Sequence, residues 1–144
     1  MNSIIDIADS LASEVMENSE FDGIKFLKAY GAEFYDPSYE NLTAVVNIED
    51  VERSQTYLSR LYKPGSRGDV FSAKLTVRIY GGSDISGYSL TRTSMSLCKA
   101  FINADSSGFI CESKITPIKY ENDTGAVYRE IILYLEYVLC EAVV

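Results

Sequence analysis

The chain has 144 residues, of which 47% are hydrophobic and 24% charged, and its formal net charge is −8. These values predict one soluble globular domain spanning residues 1–144. The excess of acidic groups argues against sequence-specific nucleic-acid binding and against an anionic membrane surface, because both tasks favour clustered Lys and Arg.

Membrane and secretion signals are not found in the sequence. No segment approaches the roughly 18 consecutive apolar residues of a membrane-spanning helix. A secretory signal has basic residues ahead of its apolar stretch. The first residues, Met1–Asp6, contain no basic residue and therefore do not predict such a signal. Cys98, Cys111 and Cys140 lie among apolar residues at spacings that suit neither a disulfide framework nor a zinc site. We therefore expect buried, reduced thiols in a cytoplasmic protein.

Two amphipathic helices are predicted from apolar residues at 3.6-residue spacing. The first covers Ser3–Asn18, with Ser3 or Asn2 as its N-cap and Asp6 in its first turn. The second covers Asp84–Ala104, and one stripe of it contains Leu90, Ser94, Leu97, Cys98, Phe101 and Ile102.

Alternating patterns predict strands over Leu42–Val51, Val70–Tyr80, Phe109–Tyr120 and Val127–Cys140, and a less regular apolar stretch, Phe21–Tyr35, is a possible first strand. Strands that follow one another in the chain pair most readily as antiparallel neighbours. The fold class predicted is therefore α+β, with a mainly antiparallel sheet and both helices packed on one of its faces.

The segment Arg53–Asp69 is predicted to be a long loop between the second and third strands. Connections of this length are uncommon and are often functional. The segment holds four basic residues and no acidic residue before Asp69, namely Arg53, Arg60, Lys63 and Arg67. Two interpretations remain open: contact with an acidic neighbouring surface, or a solvated loop that balances local charge.

No catalytic pattern is present. The chain lacks histidine, the commonest general base, and it has no phosphate-binding glycine loop. Glu49 and Asp50 are adjacent in a strand and point to opposite faces, while Glu130 and Glu136 lie about 20 Å apart along one strand. We therefore expect no enzymatic activity, cofactor or metal.

The last strand has two dissimilar faces. One is largely apolar and is predicted to be core: Val127, Arg129, Ile131, Leu133, Leu135, Tyr137 and Leu139. The other mixes aromatic, aliphatic and acidic side chains: Tyr128, Glu130, Ile132, Tyr134, Glu136 and Val138. Tyrosine is enriched at protein interfaces because a large ring carries a polar end. The second face predicts a contact with another polypeptide, the alternative being an ordinary solvated sheet face.

The order of these elements resembles the tail terminator, or tail-completion, proteins of long-tailed bacteriophages and of phage-tail-like bacteriocins. The matching segments are the first helix, the "VVNIED" strand before Val51, the "AKLTVRIYG" strand of Ala73–Gly81, the second helix, and "ITPIKYENDTGAVYREIILYLEY" of Ile115–Tyr137. This resemblance covers nearly the whole chain, as a pattern of elements.

The resemblance implies a structural protein without catalytic residues. Such proteins form hexameric rings that cap the tail tube, stop its polymerisation and present a surface to the head-side connector. The implied partners are further copies of the chain and tail-tube proteins, with sheath proteins as another candidate. The implied location is the virion or a tail-like particle of a contractile or non-contractile type, assembled in the bacterial cytoplasm.

By the same resemblance, the long loop and the final hairpin would make the contacts. The predicted interface residues are Arg53, Tyr57, Arg60, Lys63, Arg67, Tyr128, Glu130, Tyr134 and Glu136. Other interpretations remain open: a head-to-tail connector or other minor tail protein, a monomeric protein-binding module, and a small enzyme that uses Lys, Glu and Tyr.

Overall fold

A computed structural model of the chain describes residues 3–30, 42–57, 67–81, 87–121 and 125–141. Within these ranges lie two α-helices, a single 3-10 turn and six strands. In chain order they are α1 (Ile4–Met16), the 3-10 turn (Ser19–Phe21), β1 (Lys25–Lys28), β2 (Thr43–Tyr57), β3 (Arg67–Gly81), α2 (Gly87–Ala104), β4 (Ile110–Ile115), β5 (Lys119–Tyr120) and β6 (Val127–Glu141). The predicted α+β class is confirmed.

The strands form one mixed sheet in the order β1-β2-β3-β6-β4, and the short β5 also pairs with β6. Only the β1–β2 pair is parallel, and the other described pairs are antiparallel. The central strand β3 is paired on both sides. Val77, for example, lies opposite Val46 of β2 and Ile131 of β6.

Both helices bury one face of this sheet. The side chains that alternate toward them are almost fully buried and come from three strands: Ala44 and Val46 of β2, Leu75, Val77 and Ile79 of β3, and Ile131, Leu133 and Leu135 of β6. They form one apolar cluster with α1 and α2. Each fully buried Leu or Ile stabilises the fold by about 1.5–3 kcal/mol relative to an exposed one. The predicted core face of the last strand is thus confirmed at its centre.

The first helix begins at the predicted cap. The Ser3 hydroxyl accepts a hydrogen bond from the Asp6 backbone N–H (3.2 Å), and the Asp6 carboxylate accepts one from the Ser3 N–H (3.1 Å). This reciprocal pair satisfies two backbone donors that the first turn leaves free.

The long-loop prediction is wrong at both of its ends. Residues Arg53–Tyr57 belong to β2 and residues Arg67–Asp69 to β3, and the two strands remain in register up to the Tyr57–Arg67 pair. The segment that suggested a loop is instead paired with β3 through its backbone as far as Tyr57. Residues 58–66, including Arg60 and Lys63, lie outside the described part of the chain.

Other boundaries also shift. The predicted strand Phe109–Tyr120 is two strands, because Pro117 falls between β4 and β5 and has no N–H to donate to a ladder. Of the possible strand Phe21–Tyr35, only Lys25–Lys28 is extended among the described residues, and residues 31–41 lie outside them. The second helix is described from Gly87, and residues 82–86 lie outside the described part of the chain.

Two burial predictions are wrong. Ile102 was assigned to the packed stripe of α2 but is 47% exposed, because it lies on the same line of the helix as the exposed Tyr88 and Met95. Cys111 is exposed at a register shift of β4, whereas Cys98 is buried as expected. The side chain of Cys140 lies outside the described set.

A polar contact joins α1 to β1. The Asp9 carboxylate accepts hydrogen bonds from Lys28 Nζ (2.8 Å) and from the Tyr30 hydroxyl (2.8 Å), and Lys28 Nζ also donates to the Ser13 hydroxyl (2.7 Å). The hydrogen bond from Lys28, followed by that from Tyr30, lowers the pKa of Asp9 below its ordinary value.

A lowered pKa in the folded state makes this contact dependent on pH. The ionised carboxylate stabilises the fold above the ordinary Asp value of about 3.9, and this contribution is lost as the pH falls through the folded-state pKa. We expect Asp9→Asn to lower the free energy of unfolding at pH 7 and to have a smaller effect at pH 2–3. Urea denaturation across this pH range measures the difference. In a Lys28→Met background the pH dependence of the Asp9→Asn effect should shrink, and an unchanged dependence would contradict the assignment.

Candidate protein-binding surface

The sheet face that points away from α1 and α2 is here called the open face. It carries the side chains that alternate with the core residues, and the register aligns them in rows across the strands. One row joins Val45, Arg78 and Glu130, and another joins Glu49, Lys74 and Tyr134. None of the open-face residues belongs to the buried cluster that the described helices form with the sheet.

The side chains of the open face differ in how far they are exposed. Val45 of β2, Thr76 of β3 and Ile132 of β6 are buried, because longer side chains stand around them. Tyr134 is 36% exposed and Val138 44% exposed. The predicted second face of the last strand therefore keeps its aromatic and aliphatic groups accessible at one end.

A charged cluster joins β3 to β6 in the middle of the open face. Glu130 Oε2 accepts two hydrogen bonds from Arg78, from Nε at 3.1 Å and from Nη2 at 3.0 Å. Arg78 Nη1 donates to the Tyr80 hydroxyl at 3.2 Å. The guanidinium carbon also lies 4.7 Å from the centre of the Tyr128 ring, and the Tyr80 and Tyr128 rings are 5.4 Å apart.

This cluster keeps its charge. Partial burial by itself would lower the pKa of the Arg78 guanidinium, but its interactions with Tyr80 and Glu130 outweigh that cost and raise it. An arginine held by a carboxylate, a hydroxyl and an aromatic ring loses little further freedom when a partner covers it. The cluster is therefore a rigid part of the surface, and its two charges largely neutralise each other.

A more acidic area lies farther along the same face. A depression of about 280 Å³ is lined by three carboxylates, Asp50, Glu52 and Glu136, and by one basic side chain, Lys74. Tyr134 forms part of its wall. We call this area the acidic end of the open face.

A β-bulge creates the acidic end. Between Glu49 and Glu52 the register shifts, so that two residues of β2 lie opposite Ala73 alone, and Asp50 has a φ of +52°. Aspartate is one of the few residues that adopt this left-handed conformation at modest cost. Because a bulge adds one residue, Glu52 points to the same side as Glu49 rather than toward the helices.

The thiol next to the acidic end is chemically quiet. Cys111 Sγ donates to the Tyr134 carbonyl at 3.2 Å. Although Cys111 is exposed, partial desolvation of its thiol raises the pKa, and the negative charge of Glu136 raises it further. The thiolate, which is the nucleophilic form, is thus disfavoured. Among the described residues no group of three or more His, Cys, Asp or Glu side chains could hold a metal ion.

The predicted interface residues fall into two groups. Tyr128, Glu130, Tyr134 and Glu136 all lie on the open face, as the alternation of the last strand predicted. Arg53 is in register with Phe71, which faces the helix side, so the described part of the set does not form one surface. Tyr57 and Arg67 pair at the far end of the β2–β3 hairpin.

The predicted interface residues did not include the open-face residues that β2 and β3 contribute. Lys74, Arg78 and Tyr80 alternate away from the core in the sequence, which was the available signal. Their partners depend on the pairing of β3 with β6, and Arg78 and Glu130 are 52 positions apart. The turn of Glu52 onto the open face had only one weak signal, the aspartate within a strand.

Comparisons with known proteins do not add to this description. No protein-family model matches the chain, and no curated protein matches it. Neither of the two described α-helices has the length and apolarity to cross a bilayer.

The Arg78–Glu130 contact should make a measurable contribution to stability. A double-mutant cycle of Arg78→Met and Glu130→Gln is expected to give a coupling energy of about 1 kcal/mol, discounted because 42% of the Arg78 side chain is exposed. Urea denaturation supplies the four free energies of unfolding.

A second pair on the same face is the matched control. Lys74 of β3 and Glu49 of β2 also face each other across two paired strands, but their closest atoms are 3.9 Å apart and both side chains are partly solvated. The cycle of Lys74→Met and Glu49→Gln should give a coupling below about 0.5 kcal/mol. Equal couplings for the two pairs would contradict the rigid cluster.

Proposed function

We propose that the protein is a structural assembly protein that forms a ring, with a hexamer as the expected number, at the end of a phage-type tail tube. It terminates tube polymerisation and offers its other side to a head-side or collar component. The site of action is a virion or tail-like particle assembled in the bacterial cytoplasm. The open face carries this proposal, because it displays tyrosine, aliphatic and charged groups over three strands on the side away from α1 and α2.

The chemistry of the open face favours binding over catalysis. Arg78 is engaged with Glu130 and with the Tyr128 ring, and the pKa of the Cys111 thiol is raised, which disfavours its nucleophilic form. Such groups specify a complementary surface more readily than they transfer protons. Capping a polymer requires this kind of complementarity and no reaction.

The projecting strands support the proposal further. The β2–β3 hairpin and the end of β6 run on past the buried residues Ala73 and Leu135 as far as Arg67 and Glu141. Six residues of strand extend by about 20 Å. A subunit with an extended ribbon can reach a neighbour in a ring or the tube below it.

Native mass spectrometry and negative-stain electron microscopy of the purified protein test the proposal directly. We expect a closed ring with six copies. A protein that stays monomeric at the highest concentration at which it remains soluble would contradict it.

Tyr134 should contribute to assembly more than to folding. Tyr134→Thr replaces one residue of high strand propensity by another, so the free energy of unfolding should change by no more than about 1 kcal/mol. Removing an interface tyrosine should raise the concentration needed for half-assembly by about tenfold or more. Mass photometry across a dilution series measures this concentration.

Tyr120→Thr is the matched control. Tyr120 is well exposed, but it is in register with Val127 and therefore points to the other side of the sheet. It should leave the half-assembly concentration unchanged. An equal effect of the two substitutions would remove the open face from the proposed contact.

A further inference from the structure

Helix α2 carries an exposed apolar stripe on the side away from the core. Tyr88 is 75% exposed, Met95 60% and Ile102 47%. These residues are seven positions apart, which is close to two turns, so they lie along one line of the helix. Exposed large side chains arranged in a line, unlike scattered ones, are typical of a binding surface.

The same line of α2 is basic. Arg92 and Lys99 lie between the three apolar residues, both are exposed, and α2 has no acidic residue. Within the described part of the chain neither of them forms an ion pair. In a protein of net charge −8, α2 therefore contributes only positive charge to this surface, while Glu14 and Glu20 line the depression beside Lys99. We call Tyr88, Arg92, Met95, Lys99 and Ile102 the α2 stripe.

The acidic end of the open face is complementary to this stripe in charge. Asp50, Glu52 and Glu136 line the depression there together with a single lysine, and the exposed Tyr134 and Val138 supply apolar contacts. The two surfaces also match in length. The α2 stripe is about 21 Å long, and the open face measures about 26 Å from Tyr80 to Ser72 along β3.

We propose that the α2 stripe of one copy docks on the open face of the next copy, with Arg92 and Lys99 beside the carboxylates of the acidic end. The inference rests on the proposed ring. Each subunit then contributes two different and complementary patches, which is what a head-to-tail contact needs in order to close. The neighbour's α2 would then cover the open face, so that the sheet would have a helical layer on each of its two faces.

The occupant is a second copy because both halves of the contact are present on one chain. Both the α2 stripe and the open face are accessible, and the two surfaces carry charges of opposite sign. A foreign partner would account for one surface and leave the other unexplained.

The first test neutralises the stripe. Arg92→Gln with Lys99→Gln should raise the half-assembly concentration by about tenfold or more, since charge complementarity is lost at the interface. The control, Ser10→Glu with Ser107→Glu, makes the same change in net charge at two exposed positions outside the stripe. It should leave assembly unchanged, and circular dichroism should show the same fold for both variants.

The decisive test exchanges the charges. Arg92→Glu with Lys99→Glu on the helix, and Glu52→Lys with Glu136→Lys on the sheet, should each abolish rings when present alone. An equimolar mixture of the two variants should restore them, because in an even-numbered ring every stripe then meets an open face of opposite charge. Native mass spectrometry should find equal numbers of the two variants in each ring.

The outcomes separate this inference from the proposed function. Wild-type rings that persist in both charge-reversed variants, or variants that lose rings without rescue in the mixture, overturn the docking while leaving the ring. A wild-type protein that never forms rings overturns both.

Discussion

Everything in this structure depends on one constraint: the two described helices bury only one face of a wide sheet. An antiparallel sheet accepts this arrangement when its other face carries side chains that tolerate water. Strand β3 is central to it, since Leu75, Val77 and Ile79 anchor the core on one side while Lys74, Thr76 and Arg78 form the open face on the other. The same strand therefore supplies both the stability of the fold and the chemistry of its surface.

The open face combines order with accessibility. Arg78 is fixed by Glu130, Tyr80 and Tyr128, so a partner meets side chains that already have defined positions. Such pre-organisation reduces the entropy lost on binding. The acidic end has a different character, because three carboxylates line it with only one lysine, and their like charges repel one another. The middle of the open face thus holds its side chains in defined positions, and the acidic end favours a partner that carries positive charge.

Local patterns predicted the elements and the core, but not the contacts between distant strands. Alternation separated Ile131, Leu133 and Leu135 from Tyr134 and Glu136, because side-chain direction in a strand has a period of two. Alternation alone predicted too early an end for β2, because a charged run is typical of loops unless a neighbouring strand pairs with it. It also placed Ile102 in the core, because helical periodicity alone does not show where the buried stripe of a helix ends and its exposed side begins. The Arg78–Glu130 pair required the register of β3 against β6.

The bulge at Asp50 lets β2 hold one extra residue without changing which side chains reach the open face. Beyond it, Glu52 points to the open face and Arg53 to the opposite one. A deletion of one residue between Glu49 and Glu52 would give a regular ladder in which Glu52 still lies opposite Ser72 and still points to the open face. A substitution there, by contrast, leaves the extra residue in place and has to fit the left-handed backbone of Asp50. In evolutionary terms, this position tolerates a change in chain length better than it tolerates many changes of side chain.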